Sequence, residues 1–263
     1  MVQFLIQHVP TVWLGIGTVV VVVGLGMLGA LLVRRRFDHD TLESHKEAAS
    51  AIFHVIGVIY AVLLAFVVVI AWEQFKSAET TAGDEAVMAG NVYREAIALG
   101  QQGRALRVAL QSYARSVAYI EWNHMAKYQK ESPQTIAALN TVWHTVKYVR
   151  PRDATQVQLL SNAINDVGQM SEDRRTRVID STAEIPAPLW IALIVGGAIT
   201  IGFVYLVAIE RFAAQAAMVA ALGTIIAVSL FVILTLDLPF TGGIAVKPTA
   251  MRSVIAGFPH QTF

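Results

Sequence analysis

The sequence predicts an all-α membrane protein, with four transmembrane helices in two hairpins and a helical extramembrane domain inserted between them. Three observations predict it. Four runs, at residues 12–33, 48–72, 189–209 and 213–236, are almost free of charge. The ionisable residues are gathered in the intervals between these runs, most of them in one long interval. Nothing in the chain alternates apolar and polar residues with period two, so a sheet is not expected.

The elements follow in order. A helix rises about 1.5 Å per residue, so residues 12–33 reach about 33 Å and cross a hydrocarbon core of about 30 Å. Residues 48–72 form a second span, with His54 and Tyr60 as its only ionisable groups. The short polar stretch 34–47 between them implies an antiparallel hairpin. Pro186 and Pro188 introduce the third span, the Glu210-Arg211 pair separates it from the fourth, and Asp237 and Pro239 end the fourth. Backbone groups in lipid must bond internally, which makes helices of runs this long.

The interval 73–185 reads as helices in series. Residues 73–99 continue the second span, with a small-residue face at Ala78, Ala82, Ala86 and Ala89, and end at Gly100 and Gly103. Residues 104–130 repeat apolar side chains at Leu106, Leu110, Tyr113, Val117 and Ile120. Ser132 is placed to cap a shorter helix with Pro133 in its first turn, running to Val149. Pro151 closes that helix. A last one runs from Ala154 to about Asp180 on Val157, Leu160, Ile164 and Val167. The resulting division is 1–72 for the first two spans, 73–185 for the helical domain, 186–236 for the second pair and 237–263 for a tail.

Composition narrows the function classes. Of 263 residues 55% are hydrophobic and 15% charged, against roughly a quarter charged in a soluble domain. The formal charge is +1 and the one basic run is Arg34, Arg35 and Arg36, so a nucleic-acid partner is not expected. With no cysteine, disulfides, thiolate metal sites and a cysteine nucleophile are out. Nothing basic precedes the first apolar run, which is too long for an h-region, so no cleavable signal peptide is expected.

Several local patterns have plain explanations. Gly24, Gly26 and Gly29 match dinucleotide-type spacing but lie inside a span with no preceding strand, where small residues serve close helix packing. His39, His45 and His54 fit no metal-ligand spacing. Glu73, Glu79, Asp84 and Glu85 read as a solvated helix surface beyond the second span. Trp13, Trp72 and Trp190 fall at span ends, as an interfacial belt. No nucleophile–base constellation and no carboxylate pair within a span appears, so no enzyme activity and no cofactor are expected.

The second span carries the most information. At steps of four, Val58, Val62 and Phe66 share one helix face, with His54 a turn before and Ile70 a turn after. In a single chain this is a lipid-facing or packing stripe; in a ring of subunits it would line an axial constriction that gates by dewetting. His54, ionisable within a span, is either a functional group or one that reaches the interface. Periodicity leaves both pairs of alternatives open.

Residues 57–66, Gly-Val-Ile-Tyr-Ala-Val-Leu-Leu-Ala-Phe, followed by Trp72-Glu73-Gln74-Phe75 and Ala78-Glu79, resemble an uncharacterised bacterial membrane family described as bestrophin-like. They are also similar, more distantly, to the second helix of bestrophin channels. Asp237, Pro239, Phe240 and Gly242 resemble the segment after the last bestrophin membrane helix. The resemblance implies a homopentamer in the lipid bilayer, with inorganic ions passing one axial pore whose neck is Val58, Val62 and Phe66. His54 and Ile70 are then pore or interface positions. It also implies a multi-pass protein of a bacterial inner membrane with its helical domain in the cytoplasm. The arginine run in the short first loop argues for the opposite orientation. Three departures stand out: no acidic run follows Phe240, so calcium gating is not implied; Ala65 replaces the family's glycine; and Val67 to Ile70 stay apolar where bacterial bestrophins turn polar. The leading expectation is an anion-conducting channel. The alternative is a membrane-anchored sensor or assembly scaffold whose helical domain binds a partner or ligand.

Overall fold

The computed structural model describes residues 9–36, 46–182, 184–206 and 211–258. Among these residues all regular structure is helical. The helices are α1 (Thr11–Arg36), α2 (Lys46–Ala98), α3 (Arg104–Ser116), a π-helical segment (Val117–Glu121), α4 (Trp122–Tyr128), α5 (Pro133–Tyr148), α6 (Ala154–Asp180), α7 (Ala187–Leu206), α8 (Phe212–Leu236) and α9 (Thr249–Ala256). Four of them, α1, α2, α7 and α8, are long and apolar enough to cross a membrane. The chain is an all-α, multi-pass membrane protein.

It divides into two compact units. The first comprises Met1–Glu73, Glu184–Asp237 and Gly242–Ile244, and holds the apolar helices. Here α8 packs along α1 and α7, and α1 along α7. The buried contact set joins Ala30, Tyr60, Ile201, Val204, Val219 and Ile226. Lipid gives such helices no hydrophobic reason to associate, so close packing over small residues must supply the attraction. Gly26 and Gly29 serve this purpose. The Tyr205 hydroxyl donates to the Gly26 carbonyl at 2.8 Å, and a Cβ added to Gly29 would stand 2.7 Å from that hydroxyl. The hydroxyls of Thr18, Thr200, Ser229 and Thr235 are satisfied within their own helices, as where Thr200 Oγ1 donates to the Gly196 carbonyl at 2.7 Å.

Asp237, just past α8, ties the two ends of the α7–α8 pair together. Its Oδ1 accepts the Ile185 N–H at 2.7 Å, and its carboxylate also accepts from the Trp190 side chain.

The second unit comprises Gln74–Ala183, Leu238–Thr241 and Ala245–Phe263. Its core is built on the alanine face of α2: Ala78, Ala82, Ala86 and Ala89 are all buried against larger residues of α3 to α6. Pairing small with large side chains lets helices approach and interdigitate. The segments after α8 return to this core. Phe240 meets Trp122 edge-on at 5.6 Å between ring centroids, the Trp122 indole donates to the Val246 carbonyl at 2.9 Å, Val246 N–H donates to the Pro239 carbonyl at 2.7 Å, and Phe258 stacks on Tyr93 at 4.1 Å. Gly242 provides the positive φ of 89° that turns the chain between them.

Several details differ from the sequence reading: Val157 and Ile164, on which the spacing of α6 rests, are exposed, and Gly24 has no neighbour within 4 Å of where a Cβ would be. The helix expected over 104–130 is interrupted by the π-helical turn, whose extra residue shifts the buried face. Ile120, read as a core position, is exposed, and Glu121 is buried instead. Ser132 stands at the N-cap of α5 but its side chain makes no cap bond. The cap that does form lies at α6, where Asp153 Oδ1 accepts Gln156 N–H at 2.8 Å and Gln156 Oε1 accepts Arg152 N–H at 2.9 Å.

Past α2, Gly100 takes φ +63° and donates its N–H to the Ile97 carbonyl at 2.9 Å. A Cβ there meets no neighbour, so Gly100→Ala isolates the backbone cost. Thermal unfolding is expected to show a loss of about 1 kcal/mol.

Candidate functional site

The α2 helix has two unlike faces within the first unit. Tyr60, Val67 and Ala71 are 6%, 1% and 0% exposed, whereas Val58, Val62 and Phe66 are 64%, 50% and 65% exposed. Steps of about 100° per residue put Tyr60, Val67 and Ala71 on one side and Val58 and Val62 on the opposite side, with Phe66 at its flank. The single chain leaves the whole candidate neck uncovered. Ile70 continues the face with lower exposure.

His54 is exposed, and its Nδ1 donates to the Ser50 carbonyl one turn earlier at 2.7 Å. The ring sits edge-on to Phe53. Because a carbonyl only accepts, this contact puts a proton on Nδ1. His39 and His45 lie outside the described residues. Among the described residues no three His, Asp or Glu side chains are grouped to hold a metal ion.

Sequence reasoning missed the strongest electrostatic feature, a buried ion network in the second unit. Glu85, read from sequence as part of a solvated surface, is fully buried, while Glu73, Glu79 and Asp84 are exposed. The Arg177 guanidinium, also fully buried, joins two carboxylates. Its Nε donates to Glu85 Oε2 at 2.5 Å and its Nη2 to Glu121 Oε2 at 2.8 Å. Arg174 Nη2 donates to Glu121 Oε1 at 2.5 Å, and Nη1 reaches Glu131 Oε2 at 3.3 Å. The Tyr113 hydroxyl donates to Glu85 Oε1 at 2.6 Å, Ser132 N–H donates to Glu121 Oε1 at 3.2 Å, and the Trp122 ring lies 4.9 Å from the Arg177 guanidinium carbon.

Burial works against the charges of Glu121, Arg174 and Arg177, and the pairing overcomes it. For Glu121, Arg177 and Arg174 outweigh the burial and hold the carboxyl below its usual range. For Arg177, Glu85 and then Glu121 do the same and raise its pKa further. Burial and the Glu85 charge both push the Tyr113 phenol up. The network locks α2, α3 with its π-helical turn, and α6 to one another. Its chemistry is structural, since every reactive atom is already partnered.

Asp173, on α6, is the opposite case. It is buried, its Oδ1 accepts from Gln169 at 2.9 Å, and its Oδ2 has no partner. Burial raises its pKa, the Gln169 bond partly offsets this, and Asp84, Glu85 and Glu172 raise it again. The folded state therefore holds the proton more tightly than the unfolded chain. Stability from this group is full below the ordinary Asp value and is lost as pH rises through the folded value. Asp173→Asn is expected to raise stability at pH 7 by about 1 kcal/mol and to flatten the decline from acid to neutral pH. Thermal unfolding at a series of pH values reads both.

Comparison with known proteins places this architecture. A crystal structure of a variant of a bacterial Bestrophin homolog from Klebsiella pneumoniae is 12% identical. It covers 92% of this chain and 95% of its own, with a TM-score of 0.69. A second variant of that homolog is 11% identical over 90% of this chain and 96% of its own, at 0.68. The homolog structure phased on zinc is 11% identical over 91% and 99%, at 0.64. At these identities the likeness is one of fold. Among curated proteins none matches the sequence. The Bestrophin-like domain, by contrast, matches residues 20–251, and with nearly the whole chain inside that match, the protein belongs to the Bestrophin-like family.

Proposed function

We propose that the protein is an ion channel that conducts anions and assembles as a homopentamer around one axial pore. The second transmembrane helix of each subunit faces the axis, and Val58, Val62 and Phe66 form a hydrophobic neck. A narrow, uncharged constriction of this kind conducts when wet and closes by expelling water, without a large backbone movement. The inner bacterial membrane is its place, with the helical domain on the cytoplasmic side. His54 and Ile70 flank the neck. Asp237, Pro239, Phe240 and Gly242 shape the segment after the last span and do not touch the ion.

The observation that supports this most directly is the exposed neck stripe opposite a buried face, on the one apolar helix that continues into the helical domain. Membership of the Bestrophin-like family gives that stripe an axis to face. Purified protein reconstituted in planar bilayers tests the reading. With a chloride gradient across a large-anion counter-solution, the current is expected to reverse near the chloride equilibrium potential. Reversal at the cation potential overturns the anion assignment.

A further inference from the structure

The neck stripe is useful only if α2 holds one rotation about its own axis. An α-helix in a bundle can turn at small cost when its buried face is smooth, and here that face carries a buried ring, Tyr60, beside the partly buried Phe53 and Leu64. Tyr60 is 6% exposed and lies on α7 at Gly196 and Gly197. A Cβ added to Gly196 would stand 2.7 Å from Tyr60 Cδ2 and 3.0 Å from Cε2, and one added to Gly197 would stand 2.9 Å from Tyr60 Oη. The ring thus occupies the space that two side chains would take. The Ile226 side chain of α8 closes the far side of the notch, 3.3 Å from where a Gly197 Cβ would be. The hydroxyl makes no hydrogen bond, so shape alone holds the ring.

We infer that Tyr60, seated in the Gly196–Gly197 notch, is the positioning residue that fixes the rotation of α2 and turns Val58 and Val62 away from the bundle. Both valines lie two residues from Tyr60, roughly 200° round the helix in either direction. The inference rests on the neck reading, because rotation matters only if the opposite face has a task. Phe53 and Leu64 share this side of the helix but are only partly buried against the core, and the buried positions in the span besides Tyr60 are Val67 and Ala71, so Tyr60 is the large side chain of this face that is both buried and seated against glycines. Filling the notch would drive the ring sideways, and removing the ring would take away the main stop on rotation.

The chain has no cysteine, so single cysteines can be placed at Val58, Val62 and Phe66, and at the flanking positions Ala61 and Leu63. Their reaction with a charged, membrane-impermeant thiol reagent is followed in liposomes. The stripe cysteines are expected to react severalfold faster than the flanks. Gly196→Leu should bring stripe and flank rates together, as should Tyr60→Ala. The double variant Gly196→Leu with Tyr60→Ala, which returns the bulk from the other helix, should restore severalfold contrast, and Tyr60→Phe should keep it throughout. If Gly196→Leu fails to assemble, Tyr60→Ala decides alone. Contrast that survives Tyr60→Ala overturns the positioning role while leaving the neck intact. Stripe cysteines that are as slow as the flanks in the otherwise unaltered chain overturn the neck reading itself.

Discussion

Replacing Phe66 and Val62 together by alanine is expected to raise single-channel conductance about tenfold, the effect of lowering the barrier in the neck by about 1.4 kcal/mol. In the proposed pentamer five copies of each side chain would converge at one level, so each truncation would widen the ring from all sides at once. A hydrophobic constriction resists ions through the loss of their hydration, and that resistance falls steeply once a continuous water column fits. Val62→Ser should act in the same direction with less change in width, because a hydroxyl wets the wall. The same substitutions on a lipid-facing stripe would leave conductance unchanged. Recordings in planar bilayers with symmetric chloride separate these outcomes.

The second large effect lies in the helical domain. Arg177→Met is expected to destabilise the protein by about 3–5 kcal/mol, because it strands the Glu85 and Glu121 carboxylates in the core. Methionine fills much of the arginine volume, so the loss comes from charge and not from a cavity. Arg177→Lys should recover part of it, since an ammonium supplies the charge but not the forked geometry that serves two carboxylates. The quadruple variant Arg177→Met, Arg174→Met, Glu85→Gln and Glu121→Gln should approach the parent, as removing a whole buried ion group is far less costly than removing one member. The network also sets an acid limit. Glu121 is held below its usual range, so its contribution is full above the ordinary Glu value and is lost as pH falls through the folded value. Helix content followed on heating, for each variant and pH, measures all of this.

The membrane helices were legible because length and absence of charge are one-dimensional properties. Residues 12–33 need no partner to declare themselves a span. The alanine face of α2 and the limits of α6 were legible for a similar reason, as both follow from local spacing and punctuation. Glu85 and Glu121 were not. Their partner Arg177 lies 92 and 56 residues away in sequence, and an acid beside Asp84 on a polar helix gives no local sign of burial. At Glu121 a signal was present but was overridden. The series Leu106, Leu110, Tyr113, Val117 continues by a step of four to Glu121, yet the apolar Ile120 one place earlier looked the better core residue. The π-helical turn, which no residue type announces, settles the register in favour of the glutamate. For the proposed neck, sequence spacing supplied the stripe, whereas the seat of Tyr60 on Gly196 and Gly197 joins residues more than a hundred positions apart and becomes visible only in three dimensions.

The measurement that bears most directly on the central reading is an image of the purified, membrane-extracted particle at a resolution that counts subunits and traces the second span. A closed ring of five copies, with Val58, Val62 and Phe66 of each facing a common axis, is the predicted result. A dimer, or a ring in which those three side chains face the surrounding lipid, would contradict it.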